Sequence, residues 1–329
     1  MESNKRKVRY AVVGLGNVAQ GAVLPAFEHA RESSELVAVV SSDAEKVAKL
    51  AAGYEVKVTG GYVELERVIR AARVDAVYVA VPNSLHREMT ERAARAGANV
   101  LCEKPMATTV TDCEAMIQAC EDSGVKLMIA YRLHFEASNL RALDRVRSGE
   151  IGEPRIFSSV FTHRVRDGEI GGALLDMGIY CVNAARYVFG AEPMSVVAMQ
   201  TAGVRVDETT SVIMRFQGDR LAQLTASQGA ANVSEFRVIG TKGDVEIDPA
   251  FEYTSRLSEI LTVDGETRER RGKRKDQFAP EILHFSSCIL QDRTPEPSGH
   301  EGLADMRVID AIVRSAATRE VVHLAPHAH

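Results

Sequence analysis

The strongest constraint in the chain lies near its start, where Val8 to Ala19 reads VRYAVVGLGNVA. A short β-branched run passes into paired glycines and then into a segment with helical spacing, which is strand, tight turn and helix in succession. In that setting Gly14 permits the turn, Gly16 lets the backbone approach a pyrophosphate, and small Ala19 allows helix and strand to pack closely. The stretch Gly14-Leu15-Gly16-Asn17-Val18 is therefore a candidate dinucleotide cradle, with a bare structural turn as the alternative.

The pattern repeats. Leu36 to Val40, Asp75 to Val81, Asn99 to Cys102 and Lys126 to Ala130 read as further strands with amphipathic, helix-length segments between them. Alternation of this kind predicts a Rossmann, doubly wound parallel sheet, an α/β domain over residues 1–131. Pro82 and Pro105 each fall just after a strand, where proline removes no ladder donor. Loops at those strand ends are where open α/β sheets bind ligands.

After Arg132 the pattern changes. A helix at Ala137 to Ser148, a turn at Gly149 to Pro154, a strand at Arg155 to Thr162 and a long helix at Ala173 to Phe189 come first. Alternating runs then fill Met194 to Asp248, among them Ser211 to Phe216, Leu221 to Ser227 and Glu235 to Ile239, and a helix at Gly302 to Thr318 closes the chain. The reading is an α+β domain over residues 132–329, with a large open, mainly antiparallel sheet carrying helices on one face. Its other face would be a sticky patch in a monomer, so a homodimer or homotetramer is expected. The basic run Arg268 to Lys275 reads as a solvated loop.

A length of 329 residues, 45% of them hydrophobic, suits two ordinary cores. The formal net charge of -5 argues against nucleic acid and anionic membranes as partners. Five cysteines, Cys102, Cys113, Cys120, Cys181 and Cys288, show no metal-ligand spacing and read as reduced, buried thiols; no metal is expected. The histidines at 323, 327 and 329 read as a frayed tail. Lys5-Arg6-Lys7 precedes an apolar run of only Val8 to Val13, too short for a leader, so a cytoplasmic location is expected.

NAD enzymes usually place an acid at the end of the second strand to hold the ribose 2'-hydroxyl. Here that end is Val39-Val40-Ser41-Ser42. Ser41 and Ser42 offer hydroxyls without like-charge repulsion, and Lys46 one turn on offers a counter-charge to a 2'-phosphate, so NADP is the expected cofactor. Asp43 reads as the N-cap of the following helix. Plain turn serines and a surface lysine are the alternative.

Four motifs then occur in order: Val79 to His86 (VAVPNSLH), Leu101 to Pro105 (LCEKP), Tyr131 to His134 (YRLH) and Leu175 to Tyr180 (LDMGIY). With the glycine fingerprint they resemble the Gfo/Idh/MocA oxidoreductase family, whose second signature is a Glu-Lys-Pro tripeptide at this place. The resemblance implies cofactor contacts from Val81, Pro82, Asn83, Leu85, His86, Glu103, Lys104 and Arg132. It also implies that Lys104 reaches both the nicotinamide ribose and a substrate hydroxyl, and that Asp176 and Tyr180 complete the site. On a regular helix positions i and i+4 share a face, which agrees. Inositol dehydrogenases carry histidine where Tyr180 stands, so the likeness points to the glucose-fructose oxidoreductase, xylose dehydrogenase and dihydrodiol dehydrogenase branches and to a sugar or polyol substrate. His134 and Arg164 are further candidate substrate contacts, and the role of Arg166 stays open.

Hydride departure from an alcohol carbon requires the hydroxyl proton to leave too. A free tyrosine, with a pKa of about 10, is a poor base, but an ammonium such as Lys104 beside it would stabilise the phenolate. Two alternatives remain: a catalytically silent NADP-sensing regulator, and a glycosidase using nicotinamide as an internal redox catalyst. Glucose-fructose oxidoreductases wrap their cofactor with an N-terminal arm. Met1 to Lys7 here spans only about 25 Å at full extension, so an exchangeable cofactor is expected.

Overall fold

A computed structural model describes residues 6–164, 172–202 and 207–325. The chain forms two compact units, one running up to Arg132 and including Asp276–Met306, the other comprising Leu133–Lys275 and the residues from Arg307 onward.

In the first unit, β1 (Val8–Val13), β2 (Ser34–Val40), β3 (Val58–Gly60), β4 (Ala76–Val79), β5 (Asn99–Glu103) and β6 (Leu127–Ala130) are all parallel and lie in the order β3-β2-β1-β4-β5-β6. This is the Rossmann order, and it reverses between β1 and β4. Every residue of β4 and all but Arg9 of β1 are buried, as befits a parallel sheet covered on both faces. Because the strands run the same way, the turns after β1, β2, β4, β5 and β6 gather at one edge. The helix Phe278–Leu290, distant in sequence, is part of this unit. Its Ser286 hydroxyl lies 2.8 Å from the Tyr10 hydroxyl on β1 and 2.7 Å from that of Ser34 on β2.

The second unit is built on nine strands: β7 (Pro154–Thr162), β8 (Ser195–Ala202), β9 (Asp207–Phe216), β10 (Arg220–Ser227), β11 (Val233–Gly240), β12 (Gly243–Asp248), β13 (Ser258–Val263), β14 (Glu266–Arg271) and β15 (Val322–His323). Their order is β14-β13-β12-β11-β7-β10-β9-β8-β15, antiparallel throughout except where β10 meets β7. Side chains alternate cleanly: Val212, Met214 and Phe216 of β9 are buried while Ser211, Ile213 and Arg215 face outward. The helices Ala137–Arg147 and Ile179–Phe189 pack on strands of this sheet. The first is fixed to β13 by buried Glu259, which accepts hydrogen bonds from both Arg141 and Arg145.

Two local expectations need correction. The basic run from Arg268 is not a loop throughout, because Arg268–Arg271 belongs to the exposed strand β14. Strands β13 and β14 are joined at Asp264-Gly265, both with positive φ (51° and 86°), which is the backbone an Asp-Gly hairpin turn requires. His323 is not frayed but lies in β15 and pairs with Ser195 of β8; residues 327 and 329 lie outside the described residues. All five cysteines are buried and unbridged. Among the described residues no helix is long and apolar enough to cross a membrane.

Candidate active site

The glycine turn does what its sequence requires. Gly14 has φ +95°, and a Cβ there would stand 2.3 Å from the Ala80 carbonyl oxygen after β4. A Cβ on Gly16 would meet nothing within 4 Å. Gly16, Asn17 and Val18 are exposed at the start of the helical segment Ala19–Val23, while Leu15 and Ala19 are buried beneath it. Open space over backbone at a helix start is what an approaching phosphate needs.

At the end of β2, Ser41 is buried and its Oγ accepts from the Asp43 amide at 3.3 Å, whereas Ser42 is exposed. Asp43 caps the helix Ala44–Gly53 by accepting from the Lys46 amide at 3.0 Å. That bond, more than any other contact, holds the Asp43 carboxyl below its ordinary range. The Lys46 ammonium folds back on the same carboxylate at 3.1 Å, with both groups exposed to solvent.

After β4, Pro82 is exposed, Asn83 and Leu85 are half-buried and Val81 is buried. His86 is fully buried, its Nε2 lying 2.9 Å from the Val81 carbonyl and its Nδ1 2.9 Å from that of Pro105, so it ties this turn to the one after β5. Burial pushes its imidazole down, and a neutral ring donates to only one of the two carbonyls. Lys104 is half-buried directly after β5. Glu103 accepts from the Tyr78 hydroxyl at 2.9 Å and from the Lys104 amide at 3.3 Å. Arg132, after β6, is buried and donates to Gln277 Oε1 at 2.6 Å.

In the second unit, Asp176 and Tyr180 lie on one continuous helical segment, but it is not regular. Leu174–Gly178 forms a π-helical turn before the α-helix Ile179–Phe189, a feature often found at functional sites. Two details shape this turn. Asp207 Oδ2 accepts from the Leu174 amide at 2.9 Å, and a Cβ on Gly172 would collide with the same Asp207 carboxylate. Gly178 packs against Leu174 and Ala226, where a Cβ would come within 2.9 Å of Leu174 Cδ1. Tyr180 is buried, its ring set edge-on against Phe161 at 5.8 Å and tilted against Phe251 at 6.1 Å; Asp176 is half-buried.

His134 lies with Asn183 and Tyr187 rather than standing alone. Its Nε2–H donates to Asn183 Oδ1 at 2.7 Å and its ring stacks on Tyr187 with centroids 3.9 Å apart. Burial pushes this imidazole down to about 4, so it is neutral over the physiological range. Arg164 is exposed, with its amide 3.4 Å from Asn232 Oδ1. Arg166 lies outside the described residues.

Residues 8–131 match the model of the oxidoreductase family with an NAD-binding Rossmann fold, and residues 139–246 match the model of its C-terminal domain. This chain belongs to the Gfo/Idh/MocA oxidoreductase family. A D-xylose 1-dehydrogenase [NADP(+)] from Haloarcula marismortui is 34% identical over 96% of this chain and 93% of its own. The crystal structure of an aldose-aldose oxidoreductase from Caulobacter crescentus, complexed with glycerol, superposes with a TM-score of 0.93 at 39% identity, over 97% of this chain and 100% of that one. A 3-ketoreductase from Actinomadura kijaniata, solved with NADP and TDP-benzene, gives 0.86 at 27% identity, over 94% and 98%. Like other Gfo/Idh/MocA members, the chain is thus an oxidoreductase acting on CH-OH groups, with a Rossmann unit followed by a mainly antiparallel α+β unit.

Three residues around these motifs escaped the sequence reading. Tyr78 reads as one more core residue of β4, Asp207 is 33 positions from the amide it caps, and Glu281 sits in a helix that sequence order separates from the Rossmann strands. No local pattern marks any of them.

Proposed function

We propose that the protein is an NADP-dependent dehydrogenase or reductase that moves a hydride between the nicotinamide and a hydroxyl or carbonyl carbon of an aldose or related polyol. The observation that supports this best is Lys104, placed at the carboxyl end of β5 on the same sheet edge as the open turn at Gly16. NADP occupies the edge formed by the turns after β1, β2, β4, β5 and β6. Gly16, Asn17 and Val18 face its pyrophosphate; Val81, Pro82, Asn83 and Leu85 lie along it, and buried His86 and Arg132 act by holding those turns in place. Tyr180 exchanges the hydroxyl proton, Lys104 reaches the nicotinamide ribose and the substrate hydroxyl, and Asp176 orients the substrate. The A. kijaniata 3-ketoreductase has also been solved with single lysine and tyrosine substitutions, in keeping with such a pair. A screen of aldoses, ketoses and anhydro-sugars with both cofactors tests the assignment; no turnover with any of them would return the chain to the silent-sensor reading.

The cofactor preference follows from the end of β2. A 2'-phosphate there draws the Lys46 ammonium away from Asp43 and gains hydroxyl contacts at Ser41 and Ser42. Charge-assisted bonds contribute about 1.5–3 kcal/mol, enough for roughly tenfold discrimination or more. NADP is therefore expected to exceed NAD in kcat/KM by about tenfold, and Lys46→Ala to erase most of that margin. Equal efficiency with both cofactors in the wild type would sink the idea.

The cofactor is expected to exchange with solvent, leaving protein that needs added NADP or NADPH after extensive dialysis. Stoichiometric, non-dialysable nucleotide would instead indicate a closed sugar-to-sugar cycle, the chemistry that the name of the C. crescentus relative describes. The outer face of the second sheet exposes Met199 (79%), Ile213 (49%), Leu221 (45%) and Ile156 (40%), an area suited to a second copy of the chain. Sedimentation at micromolar concentration is expected to show a dimer or tetramer; a monomer would refute the interface.

A further inference from the structure

One buried carboxyl in the first unit is not used by the proposed chemistry. Glu281, in the first turn of Phe278–Leu290, is 0% exposed, and its Oε2 is buried without a hydrogen-bond partner among the described residues. Its Oε1 lies 3.3 Å from the Tyr78 hydroxyl, which is itself 2.9 Å from Glu103 Oε1. Glu103 Oε2 in turn faces the Lys104 amide at 3.3 Å. One phenol between two carboxyls has a single proton to give. Two ionised carboxylates would leave one contact without a proton and set like charges against each other in a buried space.

We propose that Glu281 is held as the neutral acid and that Glu281, Tyr78 and Glu103 form a directional hydrogen-bond chain that positions Lys104. The Glu281 hydroxyl donates to Tyr78, Tyr78 donates to Glu103, and the Glu103 carboxylate receives the Lys104 amide. Glu281 and Tyr78 are positioning residues: they act on the reaction only through Glu103 and the backbone of Lys104. The role in catalysis rests on the function proposed above, whereas the location of the proton does not.

The surroundings decide which carboxyl keeps the proton. Glu281 faces the negative charges of Glu103 and Asp276, the phenols of Tyr78 and Tyr10, and the cation Arg132. Glu103 is less enclosed and faces two cations, Lys104 and Arg132. Burial first, and then the Glu103 charge, push the Glu281 carboxyl well above its ordinary range, and burial raises Glu103 as well. Burial likewise keeps Tyr78 a neutral phenol. The helix bearing Glu281 is anchored to β1 and β2 through Ser286, so the donor end of the chain is fixed.

Glu281→Gln replaces the neutral acid with a neutral donor that cannot ionise; Glu281→Leu and Tyr78→Phe cut the chain. Turnover, NADP KM, thermal unfolding and backbone hydrogen exchange over residues 103–107 are measured for all four proteins between about pH 5 and about pH 9. Tyr78→Phe and Glu281→Leu are expected to lower kcat at least about tenfold, with the NADP KM changed less than about threefold, and to speed exchange in that segment. Glu281→Gln is expected to keep wild-type kcat and exchange, which a lost structural contact alone would not do.

The unfolding arm has a sign. A carboxyl whose native pKa is raised holds its proton while the unfolded chain releases one, so the wild type loses stability as pH rises above the unfolded value of about 4.3. Glu281→Gln escapes that loss, and its melting temperature is expected to climb relative to wild type as pH rises from about 5 toward the raised native pKa. A relative melting temperature that stays level from about pH 5 to about pH 9 would show an ionised Glu281 and overturn the proposal, as would wild-type kcat and exchange in Tyr78→Phe. If the wild type turns over no sugar, the proposed function fails, while unfolding and exchange still decide the chain.

Discussion

Lys104→Ala is expected to lower kcat by about a hundredfold or more, and Tyr180→Phe to do so independently, while both proteins still bind NADP. Hydride transfer alone leaves an alcohol oxygen with a proton it must lose, and positioned acid–base groups typically contribute factors of about 10²–10⁴. The two substitutions suit the test because each removes little else. Phenylalanine at 180 keeps the ring against Phe161 and Phe251, so only the hydroxyl is lost. Lys104 is half-buried at a strand end, where alanine opens no large core cavity. A loss confined to kcat marks an interaction made in the transition state, whereas a rise in KM at constant kcat marks simple binding. Near-normal turnover in Tyr180→Phe would pass the base role to Lys104 or to water, and full activity in Lys104→Ala would remove the lysine from the mechanism.

Much of this architecture is legible in sequence, for a physical reason. Strands such as β1 and β4 are buried on both sides, so their codes are continuous apolar runs, and the glycine turn is confined by sterics that only glycine satisfies. What escaped is stabilised by pairing and not by composition. Strand β3 is three half-buried residues at a sheet edge. Strand β14 reads ETRERR, fully exposed, and exists because β13 offers it a ladder; its charges suit the end of a sheet that must not recruit another chain. The Asp264-Gly265 turn was a usable hairpin signal, masked by the basic run that follows. The motifs supply Lys104, Asp176 and Tyr180 of the proposed site, but the rule placing i and i+4 on one face presupposes α geometry, and Asp176 lies in a π turn. Helix Phe278–Leu290 returns to the first unit through hydrogen bonds among Tyr10, Ser34 and Ser286, three residues with no individual signature.

The two glycines of the fingerprint are expected to fail in opposite ways, and this separates folding from cofactor binding within a few residues of chain. At Gly14 a methyl group would meet the Ala80 carbonyl oxygen at 2.3 Å and the Val81 nitrogen at 2.7 Å, both backbone atoms with no rotamer to yield. The backbone there also has φ +95°, outside the ordinary range of L residues. Strain and overlap add, so Gly14→Ala is expected to cost on the order of 2–4 kcal/mol in denaturant unfolding without nucleotide. At Gly16 a Cβ meets nothing within 4 Å and the backbone is not left-handed. Gly16→Ala should therefore leave unfolding within about 0.5 kcal/mol of wild type. Its methyl instead occupies the space a pyrophosphate must enter to reach the helix start, and NADP affinity is expected to fall at least about tenfold. Urea unfolding of the nucleotide-free proteins, paired with NADP titration by calorimetry, reads both effects. If Gly16→Ala bound NADP like the wild type, the pyrophosphate could not sit against this turn, and the cofactor edge assigned to the loops after β1 and β4 would have to be redrawn.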